Sequence, residues 1–375
     1  MQGTADPARP ITLFLCGDVM TGRGIDQVLP HSNDPVLFEP YARSARDYVT
    51  LAEKANGPIP APVDFEYIWG DALAELARVR PDLRIVNLET AVTTSDDRAH
   101  KGIHYRMHPA NVPVLTTAGI DCAVLANNHV LDWGRAGLAE TLATLADVDL
   151  ATAGAGPDLA AATAPAVLPL GRNRRVLVHA LGHESSGIPR GWAATPERSG
   201  VALLDDLSPA AALEVAAHLR EVRRPGDIVV ASLHWGGNWG HHIPAEQRAC
   251  ARALIDAAGV DIVHGHSSHH VKGIEVYRDR LILYGCGDFI SDYEGISGYE
   301  TFRDDLGLMY FVTVDPASGA LCQLEMTPTR VKRFRLRRAT PAESRWLEAV
   351  LNREGEALGT RVTHDDDGRL TLHWD

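Results

Sequence analysis

The chain has 375 residues, 45% of them hydrophobic and 23% charged, enough for one large or two ordinary globular domains. Acidic residues outnumber basic ones 49 to 36, and the formal charge of -13 argues against phosphate-backbone binding, so a nucleic-acid partner is not expected. No window approaches the roughly 18 to 20 apolar residues of a membrane span, and the N-terminus lacks a cationic segment followed by a long apolar run, so no membrane span and a cytoplasmic location are expected.

Strand-length apolar runs alternate with helix-period segments, the pattern of an α/β protein. The first strand, 11 to 16, runs into "GD" and delivers Asp18. Periodicity is then lost from 30 to 63, and residues 30–82 are expected to form an inserted lid or substrate segment. Strand 84–88 delivers Glu89, and in "KGIHYRMHP" alternation puts His104 and Arg106 on one face of a short strand and Tyr105 on the other. Strand 121–126 leads to Asn128 and His129, followed by a helix over 136–147 and a strand over 175–181. A helix over 209–223 precedes strand 227–233, which delivers His234; a helix over 244–258 precedes strand 260–264, which delivers His266 and His269. Strands 272–277 and 280–285 lead to "GCGDF" with Asp288, a Gly- and Asp-rich loop spans 291 to 307, and strands 308–314 and 320–327 follow. After about residue 340 come one amphipathic helix and a "DDDG" turn between short strands. The expected organisation is a domain over 11–330, with 331–375 packed on it.

Cys16, Cys122, Cys250, Cys286 and Cys322 are scattered, odd in number and never in a CxxC pair, which points to reduced thiols. Singly, each polar strand end has an ordinary reading: Asp18 as a turn or cap, Glu89 as an exposed end, His234 as a bonded core residue. Together they recur at the carboxyl ends of strands, which converge on one crevice in an α/β sheet. Carboxylates, an amide and imidazoles without thiolate suit two divalent ions such as Mn, Fe or Zn. Such ions, held roughly 3.5 to 4 Å apart, activate a water. His129 has the side chain best suited to general-acid work near neutrality. Arg23 in "TGRG", with His104 and Arg106, supplies local cations for an anionic substrate. Trp133, Trp235 and Trp239 lie near the motifs, as pocket walls or as core.

The blocks "GDVMTGR", "NLE", "NNHVLDWG", "GAG", "HWG", "GHSSHHVKGIEVY" and "LILYGCGDF" occur in this order. The series resembles the calcineurin-like metallophosphoesterase superfamily and, within it, the CapA family of poly-γ-glutamate synthesis proteins, over roughly residues 11 to 330. The resemblance implies two mixed β-sheets packed together and flanked by helices. It also implies a dinuclear centre: Asp18 on one ion, Glu89 bridging, Asn128, His234 and His266 on the second, His269 returning to the first, and His129 as an acid beside them. Two departures stand out: Met20 occupies the place of a histidine in the superfamily's Asp-x-His block, and two residues, not one, separate His266 from His269. Asp288 is a further candidate in the first site or toward substrate. The expected activity is hydrolysis of a γ-glutamyl or peptide amide in a small anionic substrate. Phosphoester hydrolysis, peptide-bond formation or transfer, and a non-catalytic polymer-binding role are the alternatives.

Overall fold

Ile11–Val19 (β1), Leu83–Leu88 (β2), Cys122–Val124 (β3) and Ala151–Ala153 (β4) lie side by side in parallel. These come from a computed structural model that describes residues 9–171 and 174–375; residues 1–8, part of the N-terminal segment read above, lie outside it. A second sheet holds Arg174–His183 (β5), Ile228–His234 (β6), Ile262–His266 (β7), Ile274–Tyr277 (β8) and Arg280–Leu283 (β9), in the order β5-β6-β7-β9-β8. Asp288–Ile290 (β10) returns to the first sheet beside the end of β1, with Asp18 opposite Asp288. Leu306–Val314 (β11) and Leu321–Val331 (β12) extend that sheet antiparallel from β1, and Thr360–His364 (β13) with Leu370–Trp374 (β14) form its far edge.

Alternation along each strand sorts side chains into layers. From β1, Ile11, Leu13 and Leu15 enter an inter-sheet core shared with Val176, Val178, Ile228, Val230, Ile262 and Leu283 of the second sheet. Phe14 and Cys16 face the other way, against helices Ala45–Asn56 (α1), Asp71–Val79 (α2) and Gly134–Ala146 (α3), represented by Ala52, Leu76 and Leu138. The outer face of the second sheet, with Leu177, Val229 and Val263, is covered by Ala211–Arg220 (α4) and Ala245–Ala258 (α5) through Leu219 and Leu254. Each such large apolar side chain contributes about 1.5 to 3 kcal/mol on burial. The architecture is therefore α/β, two mixed sheets face to face with helices on both outer faces.

The strand and helix windows of the sequence carry the expected elements, except that in "KGIHYRMHP" the strand is only Arg106–Met107, with His104 and Tyr105 preceding it. The segment without apparent periodicity needs correction. It contains α1, started by Ser44, whose side chain accepts from the helix backbone while Asp47 accepts from the Ser44 amide. Within the 30–82 insertion, Ile59, Val63, Ile68 and Trp69 belong to the core, whereas Val36, Phe38 and Tyr41 are exposed. At the other end, helix Pro341–Gly355 (α6) sends Leu347, Val350 and Leu351 into the inter-sheet core. Cys16, Cys122, Cys250 and Cys286 are buried free thiols and Cys322 is exposed. Among the described residues no helix is long and apolar enough to cross a membrane.

Candidate metal centre

The alternation that sends Ile228 and Val230 of β6 into the inter-sheet core carries Ser232 and His234 to the same face, and on β7 it carries His264 and His266 beyond Ile262. The strands are parallel neighbours with Ser232 opposite His264 and His234 opposite His266. The two imidazoles therefore meet at the strand ends, Nδ1 to Nδ1 at 2.7 Å. From the facing sheet, β1 brings Asp18, and one ligand atom each of Asp18, His234 and His266 lie within 4.8 Å of one another. Glu89 Oε1 lies 3.7 Å and Asn128 Oδ1 3.0 Å from His234 Nε2. His269 sits to one side: its Nδ1 is 2.9 Å from Asp288 Oδ1, beside Asp18 in the sheet.

A chain of amides sets the carboxylates. Asn87 Nδ2 donates to Asp18 Oδ1 at 2.7 Å and to Glu89 Oε2 at 3.4 Å. Asn127 Nδ2 donates to Asn87 Oδ1 at 3.0 Å and to the Leu88 carbonyl, while its own Oδ1 accepts the amides of His129 and Val130. Neither asparagine was among the predicted site residues. Asn87 carried a signal, two positions before Glu89 on the same strand face; the reach of Asn127 across to β2 carried none.

His129 is buried, with Nδ1 2.6 Å from Asp132 Oδ2 and Nε2 3.8 Å from Glu89 Oε1. Asp132 is held ionised: its burial pushes its pKa up, but the charges and hydrogen bonds of His129 and Lys101 outweigh that and leave it below the usual range. An ionised carboxylate only accepts, so Nδ1 carries the hydrogen and the Nε2 lone pair faces the centre. Lys101 Nζ donates to Asp132 Oδ1 at 2.7 Å and also to the Asn128 carbonyl, and the amide of Tyr105 donates to Asp132 Oδ2. Burial, with Lys101 adding, lowers the pKa of His129 to about 4. Asp132 was missed by sequence reasoning, although its place three residues after His129 keeps it within reach.

The donor set fits divalent cations. Burial first and Asp288 second push Asp18 up to about 7, and burial with Asp18 holds Glu89 well above its usual value. Burial, joined by neighbouring imidazoles, keeps His234 and His266 neutral. Among the described residues the ion-pair partners of Asp18 and Glu89 are histidines, with no lysine or arginine. Two desolvated carboxylates, an amide oxygen and two neutral imidazoles form an acceptor-rich pocket that a metal ion would neutralise, and the mix of oxygen and nitrogen suits Mn, Fe or Zn.

The predicted substrate cations are engaged by groups of the protein itself. Arg23 is buried; it donates to both oxygens of Asp292, to Glu39 and to Tyr48, and its guanidinium lies over the Tyr48 and Tyr105 rings. His104 and Arg106 do share a face, both against Trp133, while Tyr105 points oppositely to Arg23 and His129. That face is turned away from the ligand cluster: His104 meets the Ala99 carbonyl, and Arg106 meets Ser95 and Asp96. Of the histidines between the ligands, His264 bonds Ser232 and the Cys16 carbonyl, and His270 packs on Phe302. Trp235 is core, stacked on Tyr284, whereas Trp239 lines an open cleft beside His269.

A family model described as bacterial capsule synthesis protein PGA_cap matches residues 12–293, a span holding every residue of the cluster from Asp18 to Asp288. The chain is 48% identical over 364 residues to a probable polyglutamine synthesis accessory protein of Mycobacterium tuberculosis, covering 96% of each. It is 31% identical over 365 residues to the PGA biosynthesis protein CapA of Bacillus subtilis, covering 96% of this chain and 81% of that one. The capsule biosynthesis protein CapA of Bacillus anthracis is 25% identical over 301 residues, 80% of this chain and 63% of its own.

Proposed function

Since the chain belongs to the PGA_cap family of bacterial capsule synthesis proteins, we propose that it is a metal-dependent hydrolase of a γ-glutamyl or peptide amide, built on a calcineurin-like fold with a two-ion centre. The observation that carries this reading is the convergence of Asp18, Glu89, Asn128, His234 and His266, with no lysine or arginine among the described residues ion-paired to either carboxylate and with His129 facing Glu89. Asp18 and His269 would hold one ion, Glu89 both, and Asn128, His234 and His266 the other, with Asp288 supporting the first side. When bound, the ions supply Lewis acidity and a water of lowered pKa.

The rest is done by the chain's own groups. Asn87 fixes the two carboxylates at once, so neither rotates out of the cluster. Hydrolysis adds a water oxygen to the acyl carbon, breaks the C–N bond and requires the nitrogen to leave with a proton. His129, with its Nε2 lone pair facing the centre, is placed to take that proton from the attacking water and pass it to the nitrogen. Asp132 and Lys101 hold its orientation. Arg23 acts by supporting the Tyr105 wall, its fork being engaged with Asp292, Glu39 and Tyr48.

A second reading is an accessory protein that binds metal without turnover. It draws on the mycobacterial relative's being a probable accessory protein of polyglutamine synthesis and on Met20, whose buried sulfur accepts from Tyr293 at 3.5 Å at a position where the superfamily has a ligand. Elemental mass spectrometry on protein purified without an affinity metal, followed by assays with γ-glutamyl peptides and phosphoesters, separates the readings. About two equivalents of Mn, Fe or Zn are expected, reduced in Asp18→Ala and His234→Ala, with turnover abolished and metal retained in His129→Ala. Metal without turnover of either substrate class selects the accessory role; turnover of phosphoesters alone replaces the amide. No uptake of metal on titration overturns the centre.

A further inference from the structure

Beside His269, the segments carrying Trp239, Tyr293 and Tyr299 enclose a cleft of about 160 Å³. Its walls are aromatic: Trp239 stacks on Tyr299 with ring centroids 3.9 Å apart and planes 3° from parallel, and Tyr41 and Tyr293 extend the lining. Tyr41 is 67% exposed and Tyr299 42%, so the cleft opens to solvent. At about 30 Å³ per water-sized group, it has room for a chain of roughly five heavy atoms.

The charges around it are uneven. Arg23 reaches the lining, but four of its N–H bonds are taken by Asp292, Glu39 and Tyr48. His269 is engaged through Nδ1 with Asp288. Asp304 is the remaining charge, and among the described residues its carboxylate has neither an ion pair nor a side-chain hydrogen bond. Electron-rich ring faces attract cations, and an unpaired carboxylate pairs with an ammonium and repels another carboxylate.

We propose that this cleft is the leaving-group pocket of the hydrolase and takes a short aliphatic chain ending in a primary ammonium, the stem against Trp239 and Tyr299 and the charge on Asp304. The inference rests on the hydrolase reading for its place in the reaction, because His269 belongs both to the expected ligand set and to the cleft wall. The acyl carbon then lies toward the ligand cluster, and the nitrogen freed by C–N cleavage, carrying its added proton, leaves along the cleft. A γ-linked run of free carboxylates does not suit this pocket.

Two measurements on the full-length protein separate the pocket from the chemistry. In calorimetric titrations with n-butylammonium, 1-butanol and butyrate, the ammonium binds about tenfold more tightly than the others, the combined worth of one cation–π contact and one ion pair. Asp304→Asn removes that preference, and Trp239→Ala weakens the ammonium. In assays of the metal-loaded protein, the γ-glutamyl amide of 1,4-diaminobutane has a kcat/KM about tenfold above those of γ-glutamyl-butylamide and γ-glutamyl-glutamate. Ammonium preference in binding with no hydrolysis of any amide keeps the pocket and overturns the hydrolase. Hydrolysis without preference, or best with γ-glutamyl-glutamate, keeps the hydrolase and overturns the pocket. Equal binding of the three small probes to the wild type also overturns it.

Discussion

His129 has two ring nitrogens and only one of them can face the centre usefully; Asp132 decides which. Its carboxylate takes the Nδ1 hydrogen at 2.6 Å and is itself held by Lys101 and the Tyr105 amide. In Asp132→Asn the side chain loses its charge, and its single oxygen cannot serve the three donors that now share two, so the imidazole loses both a fixed tautomer and a fixed angle. Turnover is expected to fall about 10²- to 10⁴-fold, mostly in kcat, while metal content stays at the wild-type level because Asp132 does not touch the ligand cluster. Steady-state kinetics on metal-loaded variant and wild type check this; an unchanged kcat would remove Asp132 from the proton path.

At the scale of elements, the ligands depend on how strand ends are held. Gly17 precedes Asp18, and a β-carbon built there would sit 1.6 Å from the Gly287 carbonyl oxygen, the same oxygen that accepts the Asp18 amide at 3.0 Å. Backbone cannot yield as a flexible side chain would, so Gly17→Ala forces β10 away from β1 and takes Asp288 and its partner His269 with it. We expect a loss of about 3 kcal/mol in denaturant unfolding and reduced metal content; wild-type stability and content would show the contact to be slack. The strand-end ligands were legible in the sequence because a period of two carries apolar and polar residues alike: "IVHGH" places His264 and His266 on one face before any fold is known. The same rule separated Tyr105 from His104 and Arg106 correctly, but alternation says nothing about which face meets the centre. Helix α1 was not legible because the prolines of the segments on either side of it and its own many polar residues hide the period, although "SARD" held the capping pair Ser44 and Asp47.

The whole molecule assembles the site from two sheets. Asp18 lies at the end of β1 and Glu89 and Asn128 follow β2 and β3 in the first sheet, His234 and His266 end strands of the second, and only the packing of one sheet on the other brings carboxylates to imidazoles. That packing has no local signature, which is why the sequence indicated the members of the cluster better than their partners, such as Asn127 and Lys101. An unfolded chain scatters these ligands, so metal binds the folded state selectively and stabilises it by mass action, about 2.7 kcal/mol at a free metal concentration one hundred times Kd. With an unfolding entropy of about 2.1 cal/mol/K per residue, a chain of 375 residues then gains roughly 3 °C in Tm. Chelator-treated protein titrated with Mn, Fe or Zn in a thermal melt is expected to show this rise, and Asp18→Ala and His234→Ala to lose most of it. Since the two substitutions lie on different sheets, loss in both would show that one centre joins them; loss in His234→Ala alone would confine binding to the histidine side, and no rise in the wild type would leave the two sheets held by their apolar core only.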